Sequence, residues 1–208
     1  MPRWLRPRVL ALCGVALLGL SGCLGSSPPT QFYLLPSLTG GAVSPPASVG
    51  QRDLTLGVGP VTVPPYLDRP QIVTRTSRAK LALAAFDQWA GPLADTITRV
   101  LADDLALVIP TERVVLYPWP RTMDPDYQVT VEVLQFDRGP GGEVVLVARW
   151  SLLDRDGKER AMRTARLSQA AGGTDYEAAV TAMGRTLEAL AQDMAATLRS
   201  LAPPAPAR

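Results

Sequence analysis

The chain has no histidine, two cysteines and two lysines, Lys80 and Lys158, among its 208 residues. Without histidine, Ser-His-Asp and Cys-His catalysis are excluded, and so are the usual zinc sites. Little nucleophile chemistry remains beyond Ser-Lys pairs and paired carboxylates, and no G-x-S-x-G is present. Neither metal nor cofactor is expected. Excess charge is also missing. The formal charge is +2, from 21 basic and 19 acidic residues, but Arg3, Arg6 and Arg8 lie in the first 22 residues, where no acid occurs. The rest carries 18 basic against 19 acidic residues, a net −1. A near-neutral body lacks the basic surface that phosphate neutralisation needs, so no nucleic-acid partner is expected.

What is present begins at the N-terminus. Arg3, Arg6 and Arg8 form a positive segment, and Val9 to Leu20 is apolar. That run has signal-peptide length and is too short to span a bilayer core comfortably. It closes on Leu20-Ser21-Gly22-Cys23, where small residues let a peptidase approach the backbone. The pattern resembles the bacterial lipobox. The resemblance implies removal of residues 1–22 and attachment of acyl chains, palmitate among them, at Cys23; the bland alternative is an ordinary secretory signal with a chance cysteine. Several acyl chains make a stable anchor where one is marginal. Leu24 stands where an inner-membrane retention Asp would stand in enterobacterial-type lipoproteins, so the analogy favours the outer membrane. With Cys13 removed and Cys23 capped, no disulfide is available to the mature chain. Residues 23–30 read as anchor and tether. Leu24 to Thr30 reaches roughly 25 Å when extended, so the body must stay near its membrane.

From residue 31 to 202 one domain is expected, with a disordered tail at 203–208. Gln31–Leu35, Leu54–Val63, Ile72–Thr76, Leu81–Phe86 and Arg113–Tyr117 read as strands, and Ser37–Gln51 as a surface loop. Pro60 within the second strand implies an edge or a bulge. Pro92 is expected at the first turn of a helix whose stripe is Leu93, Ile97, Leu101, Leu105 and Val108. Tyr127–Asp137, Glu143–Leu153 and Glu159–Ala170 alternate as a three-strand meander turned at Gly139–Gly142 and Asp156-Gly157. Thr174-Asp175-Tyr176-Glu177 is a capping-box pattern. Behind it Val180, Met183, Leu187, Leu190, Met194, Leu198 and Leu201 step by three and four along a helix of about 25 residues. The fold class is α+β, a two-layer architecture: a mixed, mainly antiparallel sheet with two main helices on one face.

Candidate sites are few. Gly57-Val58-Gly59 lacks the third glycine of a dinucleotide fingerprint and no helix follows, so it reads as structural. Asp103 and Asp104 point about 100° apart on their helix and read as a solvated face, not an acid-base pair. Arg75, Arg78 and Lys80 form a small basic cluster; an ordinary charged surface is the simpler reading, and anionic lipid or an acidic partner the other. Trp89, Trp119 and Trp150 read as core, but Trp119 stands between two prolines, where a stiff exposed aromatic can anchor a partner. Trp119 and Tyr66 are the candidate partner-interface residues.

Taken in order, several segments resemble the PqiC/YmbA-type ABC transport auxiliary lipoprotein family: Phe32-Tyr33-Leu34-Leu35-Pro36; Gly57-Val58-Gly59-Pro60-Val61 leading into Pro64-Pro65-Tyr66-Leu67-Asp68-Arg69-Pro70-Gln71-Ile72-Val73; Trp89-Ala90-Gly91-Pro92-Leu93; Tyr117-Pro118-Trp119-Pro120; and Asp175-Tyr176-Glu177-Ala178. Gly91 departs from the acidic residue often found there. The resemblance implies a membrane-integrity role as the lipoprotein of an envelope transport system with inner-membrane components and a tunnel-forming MCE-domain protein. It also implies a homo-oligomeric ring at the periplasmic face of the outer membrane, with phospholipid or another hydrophobic molecule as cargo. The alternative is a periplasmic lipoprotein that itself binds a hydrophobic ligand or activates an envelope enzyme.

Overall fold

Strict alternation of apolar and polar residues builds the centre of the molecule. The computed structural model describes residues 27–37, 54–109, 111, 113–120 and 122–201. The leader, Cys23, most of the expected 37–51 loop and the 203–208 tail lie outside the described residues. The strands are β1 (Gln31–Tyr33), β2 (Thr55–Thr62), β3 (Gln71–Ser77), β4 (Lys80–Trp89), β5 (Arg113–Leu116), β6 (Tyr127–Arg138), β7 (Glu143–Asp154) and β8 (Glu159–Ala170). The helices are α1 (Leu93–Val108) and α2 (Tyr176–Leu201).

The fold is α+β, one eight-stranded sheet with both helices on one face. β6, β7 and β8 form the expected antiparallel meander, each neighbouring pair joined by eleven residue pairs. Val129, Val131 and Val133 of β6 and Leu146, Ala148 and Trp150 of β7 are buried in phase beneath the helices. The parallel ladders are shorter: three pairs join β1 to β4, four join β2 to β5 and five join β2 to β6. β6 therefore branches. Its N-terminal half carries β2, and its last residue, Arg138, pairs with Thr74 of β3. β2 lies between β5 and β6, so Pro60 marks a bulge and not an edge, with the register slipping between Val58 and Val61. β8 is a long margin that exposes Arg160, Arg163 and Arg166, charges of the kind that discourage edge-to-edge pairing.

On α2 the stripe from Val180 to Leu198 is buried, each large apolar residue contributing on the order of 1.5–3 kcal/mol. Its start differs by one residue from the expected box: Asp175 Oδ1 accepts from Ala178 N at 2.7 Å, so Asp175 caps the first turn in place of Thr174. Arg138 holds the same entry by donating to the Thr174 carbonyl at 2.7 Å. Pro92 is the N-cap of α1, one position before the first helical residue. One expectation on α1 fails. Asp104 is fully buried, whereas Asp103 is exposed, so the pair is not a shared solvated face. The reason is angular: residue 104 sits between Val100, Leu101 and Leu105, all buried, on the side of α1 that packs inward.

Candidate interaction surfaces

The connector between β2 and β3 is stiffened by Pro64, Pro65 and Pro70, and Leu67 plugs it into the core at 2% exposure. Leu67 and Asp68 donate their N–H groups to the Pro64 carbonyl, closing a turn that sets Tyr66 half-buried. Its hydroxyl lies 3.4 Å from Asp137 Oδ2. Asp137 has no solvent exposure. Arg75 clamps it bidentately, Nε on Oδ1 at 3.1 Å and Nη2 on Oδ2 at 2.8 Å, and Gln135 Nε2 donates to Oδ1 at 2.9 Å. The hydrogen bonds to Asp137 raise the Arg75 pKa, and burial raises that of Tyr66. Arg75 thus leaves the expected basic cluster: it is committed to a buried carboxylate, while Arg78 and Lys80 remain exposed at the β3–β4 turn.

The same connector meets the strand-to-helix passage after β4. Trp89 N donates to the Pro70 carbonyl at 2.7 Å and Ala90 N to the Tyr33 carbonyl at 2.9 Å. Between them opens a cleft of about 340 Å³ lined by Asp68, Arg69, Pro70, Trp89, Gly91 and Pro92. Two segments far apart in sequence, Tyr66–Pro70 and Trp89–Pro92, are thereby one place. Tyr33 faces inward beside it. Its hydroxyl donates to Asp87 Oδ1 at 2.8 Å, and that bond, with burial added, pushes its pKa up to about 12.

Trp119 lies at another place. It is half-buried, and a Cβ at Gly57 would come within 2.8 Å of its ring atoms, so glycine there lets the indole lie on β2. Tyr117 meets Trp119 edge to face, ring centroids 5.4 Å apart. Gly59, at φ +110°, gives the backbone the turn that Tyr117 packs against. Gly57-Val58-Gly59 is thus a packing device. Tyr117 is 50% exposed, with Leu116 and Met123 also open nearby in sequence. The structure does not bring the two predicted interface residues together. Gly57 pairs with Gln128, nine residues along β6 from Asp137, so Trp119 and Tyr66 are about 30 Å apart along the strand. Trp89 and Trp150 are core, as the sequence implied. Sequence reasoning missed Asp137, because simple alternation places it in phase with Val129, Val131 and Val133, whereas a bulge between Val133 and Gln135 shifts the phase, puts Phe136 in the core and leaves Asp137 to be covered by Arg75 of β3.

The matching family model, ABC-type transport auxiliary lipoprotein component, spans residues 33–195. The chain belongs to that family. It is 32% identical over 147 residues to the intermembrane transport lipoprotein PqiC of Escherichia coli K12, covering 71% of this chain and 75% of the relative, and equally to that of Shigella flexneri. Among solved structures it shares its fold with protein XCC0632 of Xanthomonas campestris, at TM-score 0.68 and 18% identity over 82% of this chain and 98% of that one. A second crystal structure, of an uncharacterised protein, superposes at TM-score 0.64 with 22% identity, over 84% of this chain and all of the other. Family membership makes the chain a lipoprotein component of an ABC-type transport system. Among the described residues no helix is long and apolar enough to cross a membrane.

Proposed function

We propose that this lipoprotein is acylated at Cys23, held on the periplasmic face of the outer membrane, and docks the tunnel-forming MCE-domain protein of its transport system. In this reading it forms a homo-oligomeric ring around the tunnel's end and performs no catalysis. The cargo is phospholipid or another hydrophobic molecule passing between membranes. The observation that carries the reading is the family match over residues 33–195 joined to the lipobox at Leu20-Ser21-Gly22-Cys23. The tether adds support. A body that can stand only roughly 25 Å from its membrane can complete a bridge only if a partner crosses the gap. The half-exposed Tyr117–Trp119 platform is the docking surface we favour, because stiff aromatics with little conformational entropy to lose make good anchors.

The test is isolation of the protein from gently solubilised envelope with a photo-crosslinking residue at position 117. Recovery of an MCE-domain protein with transporter components is expected, together with a triacylated Cys23 by mass spectrometry. An envelope preparation that yields neither partner would overturn the docking role.

A further inference from the structure

β1 and the residues that leave it are apolar on both faces. Tyr33 and Leu35 point into the body, Tyr33 bonded to Asp87 and Leu35 only 6% exposed. The alternate residues, Phe32 and Leu34, are 66% and 67% exposed. Alternation should put polar groups on a solvated face of a strand, so a segment greasy on both sides needs a cover on each. The exposure continues onto the neighbouring strand. Phe32 pairs with Gln88 of β4, and two residues before Gln88 stands Phe86, 37% exposed. Leu83, further along β4, is 51% exposed. At the far end of β4 the turn to β3 presents Arg78 and Lys80 to solvent. One margin of the sheet thus carries four open apolar side chains ending in two cations.

We infer that this β1–β4 margin, through Phe32, Leu34, Leu83 and Phe86, lies against the phospholipid bilayer from which the chain hangs. The inference rests on the reading of Cys23 as the anchor. Phe32 is nine residues after Cys23, so even a fully extended tether holds it within about 32 Å of the acyl chains. It belongs to the first element the tether meets. Tethering converts docking on the membrane into an intramolecular event at high effective concentration, so a modest apolar patch suffices. Aromatic and leucine side chains enter the interfacial zone, while Arg78 and Lys80 stay at the level of anionic headgroups. Pairing with a second copy would instead cover the margin without any vesicle present.

A chain beginning at Leu24 contains no cysteine, because Cys13 and Cys23 are the only two. It keeps the folded body whole, since Gln31 onward forms one compact unit. An environment-sensitive fluorophore can therefore be placed singly by Leu34→Cys, with Met162→Cys, also exposed at 57%, as control. The chain carries an N-terminal hexahistidine and is presented to vesicles of phosphatidylethanolamine and phosphatidylglycerol containing a nickel-chelating lipid. A several-fold brighter, blue-shifted signal at position 34 and none at 162 is expected. Phe32→Ser with Phe86→Ser should abolish it and weaken partition onto vesicles without nickel by about ten-fold or more. Both side chains are exposed, so an unchanged melting temperature separates this effect from unfolding. A water-like signal at position 34 on tethered vesicles would overturn the inference, as would brightening that grows with protein concentration when no vesicles are present. Because the chelating lipid replaces the acyl anchor, these outcomes do not depend on Cys23. An unacylated Cys23 in the native protein sinks the anchor reading alone.

Discussion

Arg75→Ala should cost about 3 kcal/mol of stability, and the reason lies in how β3 is attached. The ladder between β3 and β6 is a single residue pair, Thr74 with Arg138. One residue after Thr74 on β3 and one residue before Arg138 on β6, Arg75 and Asp137 close a bidentate ion pair, its shorter contact 2.8 Å. That pair sews the β3–β4–β1 arm to the meander where backbone bonds hardly contribute. Removing one member of a buried pair typically costs roughly 3–5 kcal/mol, because the other charge stays behind without compensation. The lower end applies, since the Arg75 side chain is 23% exposed and Gln135 and Tyr66 still reach the carboxylate. The reverse change is expected to be milder. In Asp137→Asn the guanidinium can turn to water and the amide oxygen still accepts one bond, so about 1–2 kcal/mol is lost. Urea unfolding measures both. With a slope of about 2 kcal/mol/M, Arg75→Ala should lower the midpoint by about 1.5 M and Asp137→Asn by about 0.5–1 M. Equal losses, or a loss below about 1 kcal/mol for Arg75→Ala, would refute the view that the buried carboxylate, and not the arginine, sets the cost.

Tyr33 should make stability pH-dependent in alkali. Its folded pKa is raised to about 12 from 10.0, so its contribution is complete below pH 10 and is lost as pH rises through about 12. Tyr66 and Tyr176, also raised by burial, add to the alkaline fall, so Tyr33→Phe should flatten but not abolish the fall in urea midpoint between neutral and strongly alkaline buffer; an unchanged profile would contradict the Tyr33–Asp87 bond as a source. Gly184→Ala should destabilise despite its better helix propensity of about 1 kcal/mol. A Cβ there would come 2.8 Å from the Pro36 carbonyl oxygen and 2.6 Å from its ring, forcing α2 away from the segment that leaves β1, and a rise in melting temperature would show that contact to be soft.

The meander and α2 were legible because their information is local. Val129, Val131 and Val133 declare one face of β6 without reference to any other strand, and the stripe behind Asp175 declares α2. The parallel joins of β1, β2 and β5 were not legible, since a strand's partner is chosen by long-range packing that leaves no periodicity in either segment. β4 held as a strand though its alanines also suit a helix. Asp104 and Asp137 show the same limit for the sites. Each occupies a position that composition assigns to solvent, yet each is buried by elements distant in sequence. The proposed anchor at Cys23 rests on another kind of signal: the motif at 20–23 is a contiguous sequence pattern and lies outside the described residues.

Register gives the molecule two ends, and the proposed roles divide between them. Gly57, on which Trp119 rests, pairs with Gln128 near the start of β6. Thr74, next to Val73, which pairs with Leu83, is level with Arg138 at the other end. The apolar β1–β4 margin and its Arg78–Lys80 turn therefore occupy the C-terminal end of β6, and the Tyr117–Trp119 platform the N-terminal end. A membrane against the first leaves the second directed away from it, which is where a partner spanning the gap would arrive. The clamp of Arg75 on Asp137 lies on the line between them, because it is what fixes the β3–β4–β1 arm to the strand that carries β2. Loosening it should therefore let the anchored arm move relative to the docking platform, even where the platform itself stays intact. A transport partner whose contacts mapped to Phe32, Leu83 and Phe86, and not to Tyr117 and Trp119, would contradict this division.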